Sequence, residues 1–361
     1  MTSRERLLAA IKQQPTDRTP RHEHFWPETV DAWIEQGLPA DTELADLADV
    51  ARSDMRGILG YDHTLRLEEA VLEETDAYRV IRDGNGASKK YWKKHSGVPE
   101  FTGEFAVQTR EQWDNYKDRL LNPDGRMDVA ERVRVSRELR DSGHFVYWGV
   151  LGFWESARDI LGPETILMNV AADPDWICEM IEHFEAQFLT MYEQLRSAGA
   201  YLDGLFIYDD LAYRNAMFMS PASYREIIWP SHCRAFGRVH EDNLPVIFHS
   251  CGRVEQVIDL LIEAGVDCLQ PLEAKAGMNL AELKAKYGDR LAFMGNVDVM
   301  VLRTNDSDAV RREVMNKLQA GSKGGGYVFH SDHSIPPEIA LATYRFCQEL
   351  VDEFDHKRLG G

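Results

Sequence analysis

After about residue 140 the sequence alternates short apolar segments with longer amphipathic ones. The short segments are rich in β-branched and aromatic residues, which favours buried strands, and the intervening segments carry apolar residues at helical spacing. The six predicted strands span residues 144–150, 202–208, 244–249, 266–272, 291–295 and 327–330. Strands that alternate with helices in this way are typical of parallel βα units. With one or two earlier strands, including residues 21–26, they predict an α/β fold, a (β/α)8 TIM barrel.

A β-hairpin interrupts this pattern early in the chain. The segment Asp83-Gly-Asn-Gly is a strong turn signal, and residues 78–82 and 89–93 on either side of it are strand-like. These strands are rich in charge, so we expect a small hairpin insertion, at about residues 76–95, that projects from the main body. No linker-like stretch or internal repeat divides the rest. Residues 1–361 are therefore predicted to form one domain.

Charge and cysteine content limit the partners and the compartment. The 361 residues include 41 basic and 60 acidic side chains, which gives a formal charge of −19. This negative charge opposes binding to nucleic acid and to anionic membranes. No apolar run approaches the roughly 20 residues that cross a bilayer. Five cysteines form an odd and sparse set for a disulfide framework. We therefore expect a cytoplasmic protein with reduced thiols and no nucleic-acid or membrane partner.

Polar side chains gather where the predicted strands end, which is where TIM barrels carry their chemistry. His249 and Cys251 form an H-x-C pair just after one strand, Glu273 ends the next strand, and His333 follows the last. Thiolate, imidazole and carboxylate groups are the ligands that Zn²⁺ uses in proteins. An isolated H-x-C pair is more often structural, with the histidine bonded to a carbonyl and the cysteine filling a gap. The ligand types at neighbouring strand ends favour a metal site instead.

Other residues near the strand ends are candidates for catalysis or substrate binding. Asp209 and Asp210 are predicted to orient the substrate or relay a proton, although one of them can equally cap the next segment. The candidates for substrate binding are His24, Trp26, Trp148 and Asn296. The alternative for His24 is a hydrogen-bonded structural histidine, and the alternative for both tryptophans is the core.

Five segments carry a resemblance to a known family: TSRERLLAAIKQQPTDRTP (2–20), YDDLAYRNAMFMSPASYREIIWP (208–230), FHSCGRVEQVIDLLIEAGVDCLQPLE (248–273), LAFMGNVDV (291–299) and GGYVFHSDHSIPPE (325–338). In their order and in their residues at strand ends, these segments resemble the uroporphyrinogen decarboxylase superfamily, which implies a (β/α)8 barrel. True uroporphyrinogen decarboxylases carry an early MRQAGRY-type segment. Here the corresponding region reads RHEHFWPETVDAWIEQG, which argues against that activity.

The second branch of the superfamily contains zinc methyltransferases that work with corrinoid proteins, and His249 and Cys251 match its H-x-C pair. That branch has a later cysteine before an IPP segment, where this chain has His333. Related methionine synthases add a Glu ligand, for which Glu273 is well placed. The resemblance thus implies that His249, Cys251, Glu273 and His333 hold Zn²⁺ or another transition metal.

The resemblance implies a metal-dependent methyltransferase. Such an enzyme moves a methyl group between a small substrate and a corrinoid protein, a thiol or a folate, with cobalamin carried on the partner protein. It also allows a homodimer. Two alternatives remain open, a metal-free carboxy-lyase and a barrel that binds a tetrapyrrole or corrinoid without catalysis.

Overall fold

A parallel seven-stranded sheet is the centre of the structure, a computed structural model that describes residues 1–93 and 99–359. The strands in chain order are β1 (Met55–Leu59), β2 (Ala70–Glu74), β3 (Tyr78–Arg82), β4 (Ser88–Trp92), β5 (Glu100–Phe101), β6 (Phe145–Leu151), β7 (Gly204–Tyr208), β8 (Ala212–Tyr213), β9 (Ala216–Met217), β10 (Val246–His249), β11 (Cys268–Gln270), β12 (Ala292–Met294) and β13 (Tyr327–Val328). The central sheet has the order β1-β6-β7-β10-β11-β12-β13, and every neighbouring pair is parallel. The prediction of an α/β fold with parallel strands is confirmed.

Helices connect successive strands of this sheet, and others precede its first strand or follow its last. They are α1 (Ser3–Ile11), α2 (Pro27–Glu35), α3 (Leu47–Val50), α4 (Arg110–Asp114), α5 (Asp118–Leu121), α6 (Val129–Asp141), α7 (Phe153–Ala172), α8 (Pro174–Ser197), α9 (Pro221–Ile227), α10 (Trp229–Glu241), α11 (Ile258–Ala264), α12 (Leu280–Tyr287), α13 (Val299–Leu302), α14 (Ser307–Gly321) and α15 (Leu341–Leu359). None of the helices within the described residues is long and apolar enough to cross a membrane.

The two faces of the sheet are buried in two separate cores. On one face, here called the inner face, a single apolar cluster takes at least one residue from every strand, and helix α1 covers it with Leu7 and Ile11. Side chains that alternate with these, such as Leu205 and Phe248, join the larger core under the helices. Burial of each such side chain stabilises the fold by roughly 1.5–3 kcal/mol. Because both faces are covered, the strands are apolar throughout, as the sequence pattern indicates.

The segment before α2 bonds to both edges of the sheet. The backbone N–H of His22 donates to the Phe329 carbonyl (3.1 Å), and the Arg21 carbonyl accepts from the N–H of Asp54, next to β1 (2.8 Å). Arg21 and Phe25 form isolated parallel bridges to residues that follow β13. Residues 21–26, predicted as a strand, therefore form separate bridges between the two edge strands.

A second sheet is inserted between β1 and β6. Strands β3 and β4 pair antiparallel on either side of the Asp83–Ala87 turn, as the sequence predicts, but β2 and β5 extend them to a four-stranded sheet. The inserted sheet therefore spans 70–101, a longer stretch than the predicted 76–95, of which residues 94 and 95 lie outside the described part of the chain. Lys89 ties it to α7, with its Nζ 3.0 Å from Asp159 Oδ2.

A histidine at the opposite end of the sheet from the carboxyl ends of the strands provides a test of this fold in solution. His240 Nε2 on α10 lies 2.9 Å from Asp267 Oδ2, and the same oxygen accepts the N–H of Val246 at the start of β10. The hydrogen bond to Asp267 raises the pKa of His240 above its ordinary value. Because the folded state holds the proton more tightly, this contribution to stability is complete below about pH 6.5 and is lost as the pH rises through the folded-state pKa.

We therefore expect His240→Gln to destabilise the protein more at about pH 5.5 than at about pH 8.5. Urea unfolding of both proteins at the two pH values measures the difference. An equal loss of unfolding free energy at the two pH values would show that the imidazolium–carboxylate pair is absent.

Candidate metal centre

Two groups of side chains that could hold a metal ion meet at Cys251, beyond the carboxyl ends of the strands. The first consists of Asp210, His249 and Cys251, and the second of Cys251, Glu273 and His333. Within each group the potential ligand atoms lie within 4.8 Å of one another. The structure thus brings together the four ligands predicted from the sequence, but it divides them between two groups that share one sulfur atom. It adds Asp210 to the set.

The turn after β10 positions both carboxylates. The backbone N–H of Cys251 donates to Asp210 Oδ1 (2.7 Å), and that of Gly252 donates to Glu273 Oε2 (2.9 Å). Gly252 has a φ of +78°, and a Cβ there would lie 2.7 Å from the backbone of Ala212. Only glycine therefore allows this turn to pass so close to the loop after β7.

The first group combines a cationic imidazole with an anionic carboxylate. Burial by itself lowers the pKa of His249, but the nearby Cys251 and Asp210 outweigh it, so the pKa is raised well above its ordinary value. Burial would raise the pKa of Asp210, but its contacts with His249 lower it. Burial raises the pKa of the Cys251 thiol, and His249 only partly offsets this. Before a metal binds, the thiol and His249 therefore hold protons that a metal must displace.

The second group has a neutral imidazole. Burial, with the Lys275 cation as a smaller cause, lowers the pKa of His333, so the ring keeps a free lone pair. Trp26 stacks on this ring with centroids 5.7 Å apart. Trp26, predicted to bind substrate, therefore contacts the predicted ligand His333. Glu273 Oε1 lies 3.2 Å from the Lys275 ammonium.

A cleft of about 900 Å³ opens above these groups and is lined by Asp210, Cys251, Glu273 and His333. Phe101 of the inserted sheet and Phe218 give it apolar surface. Charged residues of both signs line the rest, the basic ones being Lys89, Arg158, Arg214 and Lys275 and the further acidic ones Glu100, Glu155 and Asp159. The cleft can therefore hold a small molecule with apolar and polar parts.

Asp209, predicted as catalytic together with Asp210, points away from this cleft. Its Oδ1 accepts the N–H of Glu155 in the first turn of α7 (2.9 Å), and its Oδ2 pairs with His232 Nε2 (3.0 Å). The side chain is fully buried. Asp209 is the structural member of the pair, because adjacent residues at a strand end point in opposite directions.

Two residues predicted to bind substrate, Trp148 and Asn296, are structural. Trp148 lies on the helix-facing side of the sheet, fully buried, and stacks on Phe188 of α8. Asn296 uses both side-chain atoms internally: its Nδ2 donates to the carbonyls of Leu272 and Met278, and its Oδ1 accepts from the N–H of Leu280 and from Lys317.

His24, the other predicted substrate-binding residue, lies on the inner face below the metal-binding groups. Its Nδ1 is 3.1 Å from His330 Nε2, and its Nε2 is 3.3 Å from the Tyr208 hydroxyl. Both ring nitrogens thus have protein partners, as expected of a hydrogen-bonded structural histidine.

Two residues at the site were not singled out from the sequence. Gln270, the last residue of β11, contacts His249 through its side-chain oxygen. Glu155 lines the cleft, with its buried Oε1 unpartnered and its Oε2 2.5 Å from Arg158. Burial raises the pKa of Glu155 to about 8, although Arg158 opposes the shift. Glu155 lies in the first turn of α7 and not directly at a strand end, so the strand-end pattern that indicates Asp210 does not reach it.

The parallel sheet with a polar cluster at its carboxyl end defines an α/β protein with a site of enzyme type. A family model described as uroporphyrinogen decarboxylase (URO-D) matches residues 93–354. The chain belongs to the uroporphyrinogen decarboxylase (URO-D) family.

Individual relatives match shorter stretches of the chain than the family model does. The uroporphyrinogen decarboxylase of Pseudomonas aeruginosa strain LESB58 is 41% identical over 75 residues, which is 21% of each protein. That of Thermus thermophilus is 31% identical over 135 residues, 37% of this chain and 38% of the relative. The matches thus span less than two fifths of these relatives' length. A methyltransferase from Methanosarcina mazei shares the fold, with a TM-score of 0.67 at 18% identity over 98% of this chain and 99% of that one.

The two adjacent aspartates can be separated by experiment. We expect Asp209→Ala to lower the free energy of unfolding by about 1–3 kcal/mol, because the buried His232 ring and the Glu155 N–H lose their partner, while affinity for Zn²⁺ stays unchanged. Asp210→Asn keeps an acceptor for the Cys251 N–H but removes the charge, so we expect weaker zinc binding with little change in stability. Urea unfolding and competition with a chromophoric chelator measure the two effects. The opposite pattern would contradict the assignment.

Proposed function

We propose that this protein is a metal-dependent methyltransferase, with Zn²⁺ as the first candidate metal. The observation that carries the proposal is the convergence of two imidazoles and two carboxylates on the thiol of Cys251, which lines an open cleft. The superfamily that the sequence resembles has a decarboxylase branch and a methyltransferase branch. The similarity in fold to a methyltransferase agrees with methyl transfer.

The donor set fits a transition metal. Sulfur, nitrogen and oxygen donors together suit Zn²⁺, whereas Mg²⁺ and Ca²⁺ prefer oxygen alone. His249, Cys251, Glu273 and His333 would hold the ion, with Asp210 next to them. When bound, the metal would bind an acceptor thiol and lower its pKa. Since His333 replaces a thiolate of the related methyltransferases, the site is harder and also suits an oxygen-bearing substrate.

The residues around the cleft would serve the transfer in two ways. In transfer to a thiol, the new S–C bond forms as the bond from the methyl carbon to its donor breaks, and the thiol proton leaves. Asp210 is anionic and lines the cleft, so it would orient the substrate or accept that proton. The walls, which carry apolar surface and charges of both signs, would hold the rest of the substrate. The open mouth leaves room for a donor such as a corrinoid carried on a partner protein.

We also propose that the parallel sheet closes into the full (β/α)8 barrel of the family. Residues 21–25 supply the eighth position, since their backbone bonds to residues next to β1 and β13 at the same time. In such a barrel the candidate metal centre occupies the usual catalytic end.

A metal-free carboxy-lyase is the second candidate, and the arginines argue against it. That reaction needs a cluster of arginines at the mouth to hold substrate carboxylates. Arg18 pairs with Asp54 and Arg21 with Asp352, both away from the cleft. Among the arginines in the described part of the chain, only Arg158 and Arg214 line the cleft, and Arg158 already pairs with Glu155.

Metal analysis tests the proposal directly. We expect the purified protein to contain stoichiometric zinc or another transition metal by mass spectrometry. Cys251→Ser and His249→Ala should weaken zinc binding by more than the roughly 10–100-fold that loss of an outer contact causes. Cys178→Ser, a change at a half-buried helical cysteine, is the matched control and should bind like the wild type. A metal-free protein whose Cys251→Ser variant keeps full activity would overturn the proposal.

Turnover assays separate the three candidate functions. With methylcobalamin and a thiol we expect demethylation of the cobalamin, followed by its absorbance, and its loss in Cys251→Ser. With uroporphyrinogen we expect no decarboxylated product. Decarboxylation would establish the carboxy-lyase, and cobalamin binding without turnover of any methyl acceptor would establish a binding protein.

A further inference from the structure

A chain of hydrogen bonds connects the candidate metal centre with the inner face of the sheet. His249 Nδ1 bonds to Gln270 Oε1. Gln270 Nε2 lies 3.3 Å from His330 Nε2, and His24 Nδ1 lies 3.1 Å from the same nitrogen. Gln270 is 1% exposed and His330 is fully buried. Water therefore cannot easily replace these contacts, and each polar atom must be satisfied by its protein neighbours.

One backbone carbonyl sets the donor and acceptor roles along this series of hydrogen bonds. His330 Nδ1 is 2.6 Å from the Ser331 carbonyl, which can only accept, so the proton of His330 is on Nδ1. His330 Nε2 is then an acceptor, and the group of Gln270 that faces it must be the NH₂. The amide oxygen of Gln270 consequently faces His249.

The orientation of Gln270 in turn determines which nitrogen of His249 keeps its proton and which can release its proton to take a ligand. An amide oxygen accepts only from a protonated nitrogen, so His249 Nδ1 carries a hydrogen. The other nitrogen, Nε2, lies 3.4 Å from Cys251 Sγ and 3.4 Å from Asp210 Oδ1. It is therefore the nitrogen that faces the metal-binding groups. Such outer contacts fix the tautomer and ring orientation of metal-binding histidines.

We propose that Gln270 is a positioning residue that holds His249 with Nε2 directed at Cys251, and that His330 fixes the orientation of Gln270. The proposal rests on the proposed metal-dependent function, in which His249 is a ligand. Its structural part, the tautomer of His249, can be tested without any metal.

The test compares Gln270→Leu, which removes both hydrogen bonds at similar volume, with Gln270→Glu, which keeps an acceptor for His249. Gln187 is also buried, and its Nε2 donates to the Leu120 carbonyl in the helical layer. Gln187→Leu is therefore the matched control for the loss of a buried amide. Urea unfolding establishes that each variant is folded.

The first measurement is the ¹⁵N spectrum of metal-free protein labelled in histidine, at alkaline pH, with the His249 signals assigned by His249→Asn. We expect the wild type, Gln270→Glu and Gln187→Leu to keep the proton on Nδ1, and Gln270→Leu to populate both tautomers. An unchanged tautomer in folded Gln270→Leu would overturn the proposal, whether or not the protein binds a metal.

The second measurement uses Zn²⁺ and Co²⁺ as probes. We expect Gln270→Leu to bind zinc about 10–100-fold more weakly and to change the Co²⁺ absorption spectrum, and Gln270→Glu to restore both. Zinc affinity and spectrum that match the wild type in Gln270→Leu would overturn the positioning role. If the wild type bound neither ion, the proposed function would fail, while the tautomer measurement would still decide the role of Gln270.

Discussion

The pair of backbone N–H groups on either side of Cys251 is the constraint on which the candidate site depends. Each donates to a different carboxylate, Asp210 from the loop after β7 and Glu273 from the loop after β11. The two acids are thereby held around one sulfur although they lie far apart along the chain. The close approach of Gly252 to Ala212 makes this possible, so the donor set is a consequence of backbone geometry at one turn.

The sequence predicts the part of the molecule that follows from periodicity. Apolar strands that alternate with helices predict a parallel sheet, and parallel strands bring their carboxyl ends to one edge. For that reason the amino-acid pattern alone was enough to group His249, Cys251, Glu273 and His333. The insertion is larger than predicted because β5 is only two residues long and because neither β2 nor β5 adjoins a turn signal like that at Asp83-Gly-Asn-Gly.

What periodicity does not determine is the direction in which a side chain at a strand end points. Asp209 and Asp210 are identical in type and adjacent in sequence, yet one binds the N-terminus of α7 and the other Cys251. Trp148 is one residue away from Tyr147, which belongs to the inner face, while Trp148 itself belongs to the helical layer. A shift of one residue reverses the face, so periodicity alone does not fix where such side chains point.

The division of the ligands into two groups has a physical consequence for the chemistry. Cys251 belongs to both groups, so an ion near its sulfur faces the His249 and Asp210 side and the Glu273 and His333 side together. The first side is held rigidly, since His249 is connected through Gln270 to the buried His330. The second side consists of Glu273, which accepts the Gly252 N–H and pairs with Lys275, and His333, whose ring stacks on Trp26. If these groups hold the proposed metal, His333 is therefore the ligand that substrate would replace most easily, because stacking and a 3.5 Å contact to the Ser334 carbonyl hold its ring, whereas His249 is bonded to Gln270.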